Sequence, residues 1–187
     1  MAGTFVYGAG LAVLGLLAGL IGRRLRSEYR SILRPSLQTV VLVWALYGVH
    51  FSLVVCATLE SAWRFSLNQP FAVACGSILI LAGLAIYLSA VAAFGSLKRM
   101  SGMDTSRLVR AGIYRWSRNP QVVGWTLTLL GLGLARRSGM VLLLAALFWL
   151  GFRLYLPLEE ELLGRLFGEA YSTYRHNTHR YFEPPGD

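Results

Sequence analysis

Three consecutive carboxylates, Glu159, Glu160 and Glu161, follow Pro157 and an apolar run, and they make up a third of the chain's nine acidic residues. A carboxylate at the mouth of an apolar segment is costly unless a cation pairs with it. An arginine or the amine of a ligand would serve. On a helix Glu159 and Glu160 point about 100° apart. The plain alternative is an acidic first turn that favours a helix N-terminus. Leu158, Leu162 and Leu166 would share one stripe, suited to docking on a membrane surface.

A second stretch leads into another apolar run. It carries Arg107, Arg110, Tyr114, Arg115, Trp116 and Arg118, and ends in Asn119-Pro120. Asn119 fits a helix cap and Pro120 the first helical position. Taken alone, the stretch also suits an interfacial anchor, with Tyr114 and Trp116 in an aromatic belt and the arginines on lipid headgroups.

The elements that must hold these residues are set by composition. Of 187 residues, 55% are hydrophobic and 14% charged, against about 25% charged in soluble domains. A single all-α membrane domain is expected. Runs of about 20 apolar residues cross a bilayer, and five spans are read, at residues 5–21, 37–59, 71–94, 122–135 and 140–156. The fourth is short, and Arg136-Arg137-Ser138-Gly139 makes a tight hairpin turn to the fifth. Of the 18 basic residues, 14 fall in the stretches after spans one, three and five; Arg64, Arg136 and Arg137 fall on the other side, and Arg153 within span five. The positive-inside rule puts the N-terminus outside, and both polar segments, 95–119 and 158–187, in the cytoplasm. Arg23, Arg24 and Arg26 follow the first apolar run instead of preceding it, which reads as a retained span and not a secretory signal.

The net charge of +9 belongs to these lipid-facing segments and does not point to nucleic acid. Gly15 and Gly19 form a GxxxG pair. Its use is tight packing within the chain or, alternatively, a homodimer through the first span. Cys56 and Cys75 lie in apolar runs and read as packing residues, and no metal motif is present. His176 and His179 fall in the tail and His50 in span two, read as surface and packing residues, so no catalytic base is named.

The order of motifs carries a resemblance. Leu108-Val109, Gly112, Tyr114-Arg115, Arg118-Asn119-Pro120 and Gly124 precede the hydrophobic hairpin; Glu159-Glu160, Leu163, Phe167-Gly168, Tyr171, Tyr174 and Arg180 follow it. Over residues 98–182 the chain resembles the isoprenylcysteine carboxyl methyltransferase family, within the small membrane methyltransferases that include phospholipid N-methyltransferases. It departs from that pattern at Ile113, where Pro is usual, at Asn119 for His, and at Val122 for Tyr. Tyr155 stands where several members have an arginine four residues before the first glutamate, and the nearest basic residue is Arg153.

The resemblance implies S-adenosyl-L-methionine as methyl donor. It places Ser106, Arg107, Leu108, Val109, Tyr114, Asn119, Pro120, Gln121 and Val122 around that cofactor, with Glu159 on its amino group and Glu160 beside it. It implies a cytoplasmic cofactor-binding region built by residues 95–187, below N-terminal spans of residues 1–94. The acceptor would be amphipathic, lipid-like or prenylated, and would enter from the bilayer. Arg153 and Tyr155 are the residues expected near it, with Arg153 either on an anionic head or paired with Glu159 or Glu160. An NADPH-dependent membrane reductase of similar architecture and a non-catalytic partner-binding membrane protein remain as alternatives.

Overall fold

The computed structural model describes residues 2–182. They form helices α1 (Ala2–Ser31), α2 (Leu37–Glu60), α3 (Gln69–Phe94), a single turn α4 (Leu97–Met100), a 3-10 turn (Gly112–Arg115), α5 (Pro120–Arg136), α6 (Gly139–Phe167) and α7 (Glu169–Asn177). No strand is present among the described residues. The long helices run alternately up and down. One end of the bundle therefore gathers the α1–α2 turn, the 95–119 segment and the C-terminal residues, and the other gathers the α2–α3 and α5–α6 turns.

The protein is all-α and membrane-embedded, but its helices differ from the sequence reading in three places. Four helices are long and apolar enough to cross a bilayer: α1 from Phe5, α2, α3 and α6. The expected fourth span is α5, of 17 residues, about 25 Å long. It falls short of roughly 30 Å of hydrocarbon, being bounded by Asn119-Pro120 and by the left-handed Arg137, and it packs against α3 and α6. The arginines read as a loop after span one continue α1 to Ser31. Likewise α6 runs unbroken through Pro157 to Phe167, so Glu159 and Glu160 lie inside a helix and not at an N-terminus. A proline there removes one backbone hydrogen bond and crowds the carbonyl four residues back, and packing of α6 on its neighbours holds the helix together.

Glycine decides how α3 meets α5. Gly76 and Gly83 on α3 face Gly131 and Gly124 on the antiparallel α5. A Cβ added at Gly131 would lie 2.6 Å from the Gly76 carbonyl oxygen, and one at Gly83 would lie 2.6 Å from that of Gly124. Only the absence of side chains lets the backbones approach this closely. By contrast Gly8, Gly15, Gly19 and Gly22 of α1 meet nothing within 4 Å, so the expected packing of the GxxxG pair within the chain does not occur. Gly131→Val is expected to cost about 1–3 kcal/mol by overpacking, read as a lowered melting temperature in detergent. Gly15→Val should melt close to the parent.

The α5–α6 hairpin forms as read from sequence. Arg137 takes the left-handed conformation (φ 54) that ends α5, and the Ser138 hydroxyl accepts from the Val141 amide to start α6. The Arg136 Nε donates to the Thr58 carbonyl and the Arg137 Nη1 to the Leu67 carbonyl, so both residues serve open backbone acceptors around the α2–α3 turn. At the opposite end Glu28 fixes the start of α2. Its carboxylate accepts from the Ser36 amide and hydroxyl and from the Thr39 hydroxyl at 2.7–2.8 Å.

Two apolar clusters fill the bundle. The first joins α1, α2, α5 and α6 through Leu14, Leu53, Val54, Leu129, Met140 and Leu144. The second lies toward the polar end and packs Ile21, Leu25 and Tyr29 of α1 on Leu162, flanked by Leu158 and Leu166. The leucine stripe of α6 is therefore spent on α1 and not on the membrane surface. His50 is buried with its Nε2 3.2 Å from the Leu144 carbonyl, the packing role read for it. Both cysteines are free thiols.

Candidate functional site

The two polar segments meet at the end of the bundle that gathers the C-terminal residues. The Arg118 amide donates to the His179 carbonyl at 2.9 Å. The Ser117 hydroxyl and the Asn119 side-chain amide both donate to the Arg180 carbonyl, at 3.3 and 3.1 Å. The Tyr174 hydroxyl donates to the Tyr114 carbonyl at 2.7 Å, and the Trp149 and Tyr181 rings stack with centroids 4.6 Å apart. These bonds tie residues 174–181 as a strap across the entry to α5.

Glu160 of α6 anchors that strap. Its carboxylate lies 3.3 Å from an Arg118 nitrogen and accepts from Arg180 Nε at 3.0 Å and Nη2 at 2.6 Å. The Glu160 and Arg118 side chains are only 8% and 10% exposed. Burial, with Glu160 close by, pushes the Tyr171 phenol up to about 12, so it stays neutral beside the pair.

Glu159 is placed quite differently. It is half-buried, and among the described residues it has no hydrogen-bond or ion-pair partner. Five phenols lie within electrostatic reach of it: Tyr29 of α1, Tyr47 of α2, Tyr114 of the 3-10 turn, Tyr155 one turn back on α6, and Tyr171 of α7, which also lies beside Glu160. Tyr29 and Tyr155 bond each other through their hydroxyls at 2.8 Å. Tyr114 is 5% exposed and packs edge-on against Phe94, and its hydroxyl is fully buried without a partner. Burial and the Glu159 carboxylate push its phenol well above the ordinary tyrosine range. It is therefore a protonated donor with no acceptor among the described residues. Tyr47 keeps 36% of its surface exposed, so the cage is open on the α2 side.

A carboxylate with no protein partner among the described residues, in a neighbourhood of phenols, has the chemistry to receive a cation. The carboxylate supplies charge, and aromatic faces attract cations by about 0.5–2 kcal/mol each. A buried phenol donor adds a place for an acceptor atom of the same ligand.

The other expected site residues divide. Ser106 donates through both its amide and its hydroxyl to Asp104 Oδ1, at 3.0 and 2.6 Å, which holds the Asp104 carboxyl below its ordinary value. Ser106 and Arg107 are exposed, and Leu108, Val109 and Gln121 are half-buried along the same segment. Pro120 and Val122 are core residues, Val122 being 1% exposed. Their side chains are buried in the bundle. Asn119 stands at the cap position, but its side chain does not cap α5, because it is committed to the strap.

Of the two alternatives for Arg153, pairing with Glu159 or Glu160 does not occur. Arg153 is exposed and has no ion-pair partner among the described residues. It shares a helical stripe with Glu160 but sits about 10 Å away along the axis, and Arg118 and Arg180 take Glu160 instead. Tyr155 lies one turn before Glu159 on α6 and bonds Tyr29. Sequence reasoning missed Tyr29 and Tyr47, which come from α1 and α2. Tyr47 carries one signal, a polar tip inside an apolar run, which needs a partner when buried; Tyr29, between Glu28 and Arg30, carries none.

The model of the phospholipid methyltransferase family matches residues 71–170 of this chain. The match spans α3, the 95–119 segment, α5 and α6, and includes Tyr114, Glu159 and Glu160 but neither Tyr29 nor Tyr47. It agrees with the resemblance carried by the motifs. No curated protein and no solved structure matches.

Proposed function

Because the chain belongs to the phospholipid methyltransferase family, a family of membrane methyltransferases, we propose that it takes its methyl group from S-adenosylmethionine and delivers it to a membrane-held, amphipathic acceptor of lipid-like or prenylated kind. The observation that carries this reading is the unpartnered Glu159 carboxylate among Tyr29, Tyr47, Tyr114 and Tyr155. The donor carries an ammonium and a sulfonium, the two cations that an acid in an aromatic cage is built to hold. The orphaned Tyr114 hydroxyl fits one of its acceptor atoms.

When bound, the donor supplies an already activated methyl on its sulfonium. The protein's own work is then to align and to exclude water. In this reading Glu159 grips the ammonium, Tyr114 donates a hydrogen bond, and the backbone of residues 106–109 with Gln121 forms the rest of the wall. Glu160 acts indirectly, holding Arg118 and Arg180 so that the strap closes the site from the aqueous side. The positive-inside asymmetry puts that side in the cytoplasm and the N-terminus outside.

The acceptor's apolar part also has a place to lie. α3 packs on α5 and leaves α2 standing apart from it. An apolar groove of about 160 Å³ runs between Phe51, Val54, Val55 and Thr58 of α2 and Trp125, Thr128, Leu129 and Leu132 of α5. Phe51 is one turn from Tyr47 on the same face of α2, so the groove leads from the bilayer toward the cage. This supports an acceptor that enters sideways.

Calorimetry on the purified protein in detergent tests the reading, with S-adenosylmethionine, S-adenosylhomocysteine and NADPH as titrants. Micromolar binding of the adenosyl ligands is expected. Binding of NADPH alone, or of none of the three, overturns the reading. Tyr114→Phe should weaken the donor about 2- to 10-fold, the value of one hydrogen bond. It should not lower the melting temperature, because the hydroxyl it removes has no protein partner.

A further inference from the structure

We propose that the outer face of the last turns of α1 binds the phosphate of an anionic phospholipid headgroup. Arg23, Arg26, Ser27, Arg30 and Ser31 line a shallow groove of about 490 Å³ there. Their spacing puts all five on one face of the helix. None of the three arginines has a hydrogen-bond or ion-pair partner among the described residues.

The neighbouring charges do not neutralise this face. Arg24 turns the other way and donates to the Thr39 hydroxyl at 3.2 Å and to Gln38 Oε1 at 2.7 Å. Glu28 is spent on Ser36 and Thr39 at the start of α2. Leu25 and Tyr29, 4% and 6% exposed, are buried in the α1–α6 core. The groove is thus a row of guanidiniums on the side of α1 that no other helix covers among the described residues.

Sorting of charge across the membrane requires positive residues near a span's end. It does not require three of them to converge on one groove with two serines between. The Ser31 hydroxyl donates to the Ser27 carbonyl at 3.0 Å and so is itself held in place. Guanidinium forks match phosphate oxygens in pairs. Depth selects the source of the phosphate. The groove begins directly after the apolar run that ends at Gly22 and extends about 12 Å along the helix, through the headgroup layer that flanks the hydrocarbon. A lipid seated there would brace the stretch of α1 whose opposite face presents Tyr29 to the cage.

The test counts bound lipid on the full chain. The protein is placed in phosphatidylcholine nanodiscs with increasing phosphatidylglycerol, and lipid retained per chain is measured by native mass spectrometry. A saturable, one-per-chain preference for phosphatidylglycerol is expected. The triple change Arg23→Gln, Arg26→Gln and Arg30→Gln should weaken it roughly tenfold or more. A control triple of equal charge, Arg34→Gln, Arg115→Gln and Arg175→Gln, should leave it unchanged. If the Gln triple fails to insert, Arg23→Lys, Arg26→Lys and Arg30→Lys keeps the charge that sets topology and decides alone. Weakening by about threefold or more supports the site, because the forks are lost; equal affinity overturns it. Equal loss in the control triple also overturns it, as does competition by millimolar inorganic phosphate or retention of no lipid by the parent.

Discussion

Glu159→Gln is expected to weaken S-adenosylmethionine binding on the order of 10- to 100-fold while leaving the protein as stable as the parent, or slightly more so. A hydrogen bond to a charged group contributes about 1.5–3 kcal/mol, and the amide keeps the shape of the side chain while losing the charge. The stability arm separates function from structure. Glu159 has no protein partner among the described residues, so the folded state loses nothing when its charge goes and is relieved of the cost of a poorly solvated carboxylate. Calorimetric titration and thermal melting of the same preparation read both effects. Unchanged affinity would show that another group holds the donor's amine. A large drop in melting temperature would show that Glu159 is a structural residue.

Glu160→Gln should do the opposite, destabilising the fold by roughly 3–5 kcal/mol, the usual cost of removing one member of a buried ion pair. The Arg118 side chain is 10% exposed, and its Nε and Nη1 are already buried without partners. Glu160 is its one acid partner among the described residues, so the substitution strands a charge. Arg180 is 33% exposed and can turn to water, which makes Arg118 the seat of the loss. The strap should loosen with it, so limited proteolysis should cut near residues 175–182 faster than in the parent. The double change Arg118→Met with Glu160→Leu should recover much of the stability, since an apolar pair of similar volume avoids the stranded charge. An unaltered melting temperature in Glu160→Gln would remove the clasp from this account.

These two neighbouring acids show where reading the chain alone runs out. Their presence beside an apolar run, the Arg118-Asn119-Pro120 start of α5 and the glycine-arginine hairpin are all local patterns, and local patterns follow from the order of residues. So do the apolar runs, because a membrane helix satisfies its own backbone and needs only about 20 apolar residues in succession. The family was legible for the same reason, since its motifs keep their order along the chain. Helix ends were less legible. α1 continues through its arginines and α6 through Pro157 because packing on neighbouring helices offsets charge and a lost hydrogen bond.

What only the tertiary structure decided is which acid faces what. The 100° between Glu159 and Glu160 is a property of any helix. That one direction holds Arg118 and Arg180 while the other opens onto Tyr29 and Tyr47 depends on which helices lie against α6. Tyr29 is 130 residues from Glu159 along the chain and Tyr47 is 112, and no local pattern links residues so far apart. They meet because α1 and α2 both pack on α6. The sequence alone determined a membrane bundle with its charge and its family motifs at one end. The division of labour there, one carboxylate clasping the protein and the other left open to a ligand, arises from packing, which lets burial and pairing act differently on two identical side chains.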